Sequence, residues 1–156
     1  MVKEENKLEK YKFLRLYDMD LEMALQSIEM MKRYRRKDIR YSIIRDVIVT
    51  YCRPFTESKG IKIKKDLMAV KFTSQDMQSL HNELLTLRKQ LFAHTDLIYK
   101  KPEVSNWSTE VYKWFPMSFR GFDYSSLDNR VSEIKELVLY SQVQLRKQIA
   151  EYEKCF

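Results

Sequence analysis

Two glycines and three prolines in 156 residues are too few for a fold assembled from turns. The scarcity disfavours a turn-rich sheet architecture and leaves long helices as the expected elements. Cysteine is equally sparse. Cys52 and Cys155 cannot build a disulfide framework or a thiolate metal centre. Cys52 falls in an apolar helical pattern and is expected as a buried thiol, whereas Cys155 falls where the terminus should fray. The opening MVKEENKLEKYK lacks the apolar core of a secretion signal, and no later run is long and apolar enough to span a bilayer. The expected setting is a reducing, cytoplasmic one with no membrane partner. His81 and His94 are the only histidines, and they stand too far apart along one helix to converge on an ion. His94 with Asp96 supplies at most two ligands, so neither a metal nor another cofactor is expected. Zinc-finger spacing, a phosphate-cradling glycine loop, a dinucleotide fingerprint and internal repeats are all missing.

What is present suits one domain. With 44% hydrophobic and 33% charged residues, positions 1–156 can form a single helical-bundle domain with an ordinary core. Lys and Arg number 29 against 22 Asp and Glu, a net charge of +7. That excess favours acidic partners, RNA among them, without specifying one.

Apolar periodicity marks the elements. A first helix is expected from about Lys3 to Tyr17, and a second stripe follows through Leu21, Ala24, Leu25, Ile28 and Met31. The intervening YDMD either separates them or lies inside one long helix. After the basic run KRYRRKDIR, Asp38 is a candidate N-cap for a helix carrying Ile43, Ile44, Val47, Ile48 and Tyr51, which Pro54 ends. A connector containing Gly60 and IKIK follows. Thr73 with Asp76 then makes a candidate capping box for a helix through Met77, Leu80, Leu84, Leu87 and Leu91 toward His94. From Tyr99 to Tyr124 the periodicity breaks in a long aromatic connector, expected to cover the bundle with Trp107 and Trp114 as anchors. Ser125 with Asp128 is the candidate cap of a final helix running through Val131, Ile134, Val138, Leu145, Ile149 and Tyr152. The eight methionines most simply fill gaps in the core. The fold class is all-α, an up-and-down helical bundle, because amphipathic helices bury their stripes against one another.

The chemistry concentrates in LHNELLTLRKQLFAHTD. On a regular helix, six positions separate Arg88 and His94 by about 120° of rotation, so the two share one cleft only if the helix end turns His94 or a second subunit completes the site. His81 aligns better with Arg88 and is a further candidate. His94 is either a boundary histidine beyond Leu87 and Leu91 or a proton-transfer group, its ordinary pKa of about 6.5 suiting that work near neutrality. Asp96 either fixes its tautomer or caps the next turn. Lys32, Arg33, Arg35, Arg36, Lys37 and Arg40 form either a solvated helix end or an electrostatic footing for RNA, with Tyr34 and Tyr41 available to stack on bases.

The stretch Arg88-Lys-Gln-Leu-Phe-Ala-His94 resembles the Arg-x(4–6)-His signature of the HEPN superfamily, and the bundle pattern extends the resemblance over most of the chain. HEPN proteins are small helical bundles of toxin–antitoxin, abortive-infection and CRISPR-associated systems. The resemblance implies a metal-independent endoribonuclease with Arg88 and His94 as site residues, and Asp96 beside them is the further candidate of the local reading. It also implies a homodimer sharing its cleft between subunits, and a cognate antitoxin or other protein partner. The rival function is a non-catalytic bundle that binds nucleic acid or protein through its basic face.

Overall fold

A computed structural model describes residues 2–57, 68–92, 101–119 and 121–154. Its architecture is an all-α bundle. Helix α1 (Val2–Met31) is unbroken, as a stretch without glycine or proline allows. Asp18 and Asp20 do not cap a second helix. They reach sideways, Asp18 to Arg146 at 2.8 Å and Asp20 to Arg53 at 3.1 Å, so YDMD lies inside one helix.

Helix α2 (Lys37–Cys52) begins with Arg36 at its N-cap and passes into a 3₁₀ turn, Arg53–Phe55, that contains Pro54. Asp38 therefore sits in the first turn, not at the cap, where its charge still complements the helix N-terminus. Helix α3 (Gln75–Leu87) is capped by Ser74, whose hydroxyl accepts from the amides of Asp76 and Met77. The cap falls one residue later than expected at Thr73. The chain then widens into a π-helical turn, Arg88–Phe92. Ser125 and Asp128 bound a separate short helix, α4 (Ser125–Asp128), before α5 (Val131–Glu153). Asp128 does not cap α5; it turns back to Arg40.

Helices α1 and α5 run antiparallel. Arg146 pairs with Asp18, Gln142 donates to Glu22 at 3.0 Å, and Lys135 pairs with Glu29. Helix α2 is also antiparallel to α1, with Ser27 donating to Asp46 at 2.9 Å and Arg53 pairing with Asp20. Between them, Leu21, Ile28, Ile44, Ile48, Leu84, Leu137 and Leu145 are fully or almost fully buried. Each such side chain contributes about 1.5–3 kcal/mol by leaving water. Ile134, Val138 and Ile149 complete the α5 stripe expected from its spacing.

The aromatic connector departs from expectation. It projects as a two-stranded antiparallel ribbon, β1 (Glu103–Val104) with β2 (Met117–Ser118). The pairing continues outward through backbone bonds from Ser105 to Pro116, Trp107 to Trp114 and Thr109 to Tyr112. Trp107 and Trp114 do not anchor it to the bundle; they stay exposed and pack edge to face with centroids 5.2 Å apart. The methionines also divide. Met31 and Met68 are buried, whereas Met19, Met23, Met30 and Met117 are exposed.

Candidate functional site

The Arg–His segment begins on a well-anchored helix. Leu80, Leu84 and Leu87 bury one face of α3, and Arg88 stands where the α-helical ladder opens. Its amide still bonds back to the carbonyls of Leu84 and Leu85, while the residues after it follow the wider i→i+5 pattern. Face relations computed for a regular helix therefore cease to apply beyond Arg88. The Arg88 side chain is half-buried and has no ion-pair or hydrogen-bond partner among the described residues. Its charge reaches Cys52. Burial pushes that thiol up to about 12, and Arg88 draws it back only weakly. Cys52 is thus the inert buried thiol its pattern suggested. His94 and Asp96 lie outside the described residues, as do IKIK, Gly60 and Cys155.

His81 does not join Arg88. It is 8% exposed, with Nδ1 2.8 Å from the Tyr51 hydroxyl, and Tyr51 approaches Ser141 Oγ at 3.5 Å. Phe55 and Phe72 enclose the ring at centroid distances of 4.7 and 4.9 Å. Burial lowers its pKa below the usual histidine range, which favours a neutral imidazole accepting the tyrosine proton at Nδ1. His81 is a core residue.

The six basic positions separate into two groups. Arg40 is committed to the fold. Its guanidinium meets both carboxylate oxygens of Asp128 at 2.5–3.1 Å and donates to the carbonyls of Met31 and Tyr34 at 3.0 and 3.3 Å. It closes the C-terminal end of α1, where carbonyls lack helical partners, and so is removed from the RNA footing. Lys32 pairs with Glu29, and Arg36 reaches Asp38 at 2.6 Å. Both pairs are exposed and exchange readily with solvent or another anion. Arg33, Arg35 and Lys37 are exposed and have no acidic partner among the described residues.

An aromatic stack brings this basic loop and the Arg88 turn to one end of the bundle. Tyr41, in the first turns of α2, stacks on Tyr124 at 5.3 Å, and Tyr124 stacks on Phe92 at 6.2 Å. Phe92 closes the π turn, two residues before His94 in sequence. Phe122 meets Tyr124 edge on at 5.1 Å, which roots the ribbon at the same end. Tyr124 and Phe92 are the organising residues that spacing did not single out. The density of aromatics between Trp107 and Tyr124 was the available signal, but their pairing depends on the fold.

Among the described residues no three His, Cys, Asp or Glu side chains gather to hold a metal ion, and no helix is long and apolar enough to cross a membrane. No protein-family model, curated protein or solved structure matches the chain.

Proposed function

We propose that the chain is a HEPN-type, metal-independent endoribonuclease acting at the Arg88 end of α3. The observation that carries this is the placement of Arg88. It is a half-buried cation without an acidic partner among the described residues, at a π turn joined through Phe92, Tyr124 and Tyr41 to an exposed basic loop. A guanidinium held by the fold yet not neutralised by a carboxylate is suited to a phosphodiester, whose oxygens its planar fork matches. The loop supplies Arg33, Arg35 and Lys37 for neighbouring phosphates.

In this reaction the RNA 2′-hydroxyl attacks the adjacent phosphorus, the bond from phosphorus to the 5′-oxygen breaks, and a 2′,3′-cyclic phosphate and a 5′-hydroxyl result. One proton leaves the attacking hydroxyl and one reaches the departing oxygen. His94 is assigned to proton transfer, Arg88 to the charge on the phosphoryl oxygens, and Asp96 to orienting the imidazole. The functional unit in this proposal is a homodimer, with an antitoxin or other protein as the regulatory partner.

The test is cleavage of labelled single-stranded RNA in EDTA by wild type, R88A, H94A and H81Q. Loss of product by at least about 100-fold in R88A and H94A, the scale on which acid–base and electrostatic groups act, with H81Q still active when folded, supports the assignment. Equal cleavage by wild type and H94A would discard it. RNA binding without cleavage would instead establish the non-catalytic role of the basic loop.

A further inference from the structure

The ribbon between the π turn and α4 is built as an arm. Glu110 and Val111 close its turn, where the Tyr112 carbonyl accepts from the Thr109 amide at 2.7 Å and Thr109 Oγ1 accepts from the Tyr112 amide at 3.0 Å. Ser108 Oγ accepts from the Trp114 amide at 3.0 Å, and Asn106 Oδ1 from the Ser108 amide at 3.0 Å. These side chains brace the arm from within. Alternation along the paired strands places Trp107, Trp114 and Tyr112 on one face and Val104, Phe115 and Met117 on the other. Each face therefore carries large apolar side chains among its polar ones. Trp107 is 62% exposed and Val111, at the tip, 96%. An isolated two-stranded ribbon is marginal in water, so this one is finished for contact with something else.

The same chain carries an open groove of about 980 Å³ along α1, floored by Leu16, Met19 and Met23 and edged by Arg15, Glu22 and Arg146. Its methionines are flexible, polarizable side chains that favour aromatic rings. Length fits as well as chemistry. From Glu103 to Glu110 the arm extends about 23 Å at ~3.3 Å per strand residue, and from Tyr11 to Gln26 the groove extends about 22 Å at ~1.5 Å per helical residue. Charge fits too. Lys101 and Lys113 balance Glu103 and Glu110 within residues 101–119, in a chain of net charge +7. The arm is thus a part of this basic molecule that meets another copy without net repulsion.

We propose that the arm seats its tryptophan face in the α1 groove of a second copy of the chain, whose own arm returns the contact across a twofold axis. Trp107, Tyr112 and Trp114 are each more than half exposed and together offer roughly 350 Å², given ~150–250 Å² for a buried aromatic. Two arms and two matching groove walls cover roughly 1,400 Å², within the ~1,200–2,000 Å² of a standard stable complex. The proposal rests on arm and groove and shares with the ribonuclease reading only the dimeric state.

Sedimentation of the full chain tests it, with W107S/W114S as the arm variant and M19K/M23K as the groove variant. Wild type is expected to be a dimer. Either variant raises the dimer dissociation constant at least about 30-fold, the loss expected of one interface hot spot. All four substituted side chains are exposed, so circular dichroism should match wild type. An equimolar mixture of the two variants should form a heterodimer through its one intact arm–groove contact. Trp107 and Trp114 are the only tryptophans, so their emission should shift to the blue with dimerisation. A monomeric wild type, a dimer unaffected by either variant, or a failure of the mixture to associate would each overturn the proposal. A monomer whose tryptophan emission is quenched by single-stranded oligonucleotide would assign the arm to nucleic acid instead. RNA cleavage assayed on the same samples separates this outcome from that of the catalytic site.

Discussion

At the scale of the residue, His81 and Arg88 show how neighbours on one helix acquire opposite surroundings. His81 is enclosed by Tyr51, Phe55 and Phe72, and burial holds its pKa below the usual value of 6.5. The unfolded chain takes up a proton near that pH while the folded one resists. The unfolded state thus binds more protons, and stability falls as pH drops through 6.5 toward the folded pKa. Urea midpoints measured between pH 7.5 and 5.5, a window above the carboxylates, should decline for wild type and H94Q but flatten in H81Q. Tyr51→Phe leaves His81 Nδ1 without its donor and should cost about 1–3 kcal/mol. Cys52, its pKa pushed up to about 12 by burial, should react with a thiol reagent only as fast as the chain unfolds. Burial of Cys52 and of the Leu80, Leu84, Leu87 stripe was legible because periodicity reports which face is covered. The fate of His81 was not, because its acceptor site is filled by a tyrosine from another helix.

Elements were legible wherever their causes are local. The scarcity of glycine and proline set the helical class, and Pro54 marked the end of α2. Boundaries shifted where two neighbouring residues can do one job, as Thr73 and Ser74 can both cap α3. They shifted further where a distant partner competes. Asp128 suits a cap with Ser125 by sequence, but Arg40 captures it across the fold and uses its other donors on the end of α1. R40A and D128A should each lower unfolding free energy in urea by about 1–2 kcal/mol, a charged hydrogen-bond loss reduced by partial exposure. The exchanged pair R40D/D128R should not recover it, since aspartate cannot donate to the Met31 and Tyr34 carbonyls. The ribbon escaped notice because Glu110 and Val111 carry none of the Asn-Gly or Asp-Gly chemistry that announces a tight hairpin. A long aromatic connector was visible; its direction, away from the core, was not.

At the scale of the whole molecule, three features share one end of the bundle: the loop of Arg33, Arg35 and Lys37, the π turn after Arg88, and the root of the arm at Tyr124. The surplus of positive charge was plain in the composition, yet composition could not say which cations the fold consumes. If the loop contacts RNA phosphates, replacing Arg33, Arg35 and Lys37 by alanine should flatten the dependence of log K on log salt by about 2, at ~0.7 per phosphate contact on a single strand. The Arg88–His94 spacing was legible at once, but the proposed convergence of two such segments depends on how chains assemble. The central claim, cleavage by attack of the RNA's own hydroxyl, is tested most directly by the products. Incubated in EDTA with an RNA and with the same strand carrying 2′-deoxy sugars, the wild-type protein should yield 2′,3′-cyclic phosphate ends from the first and leave the second intact. Intact RNA with folded protein, or equal cleavage of both strands, would contradict it.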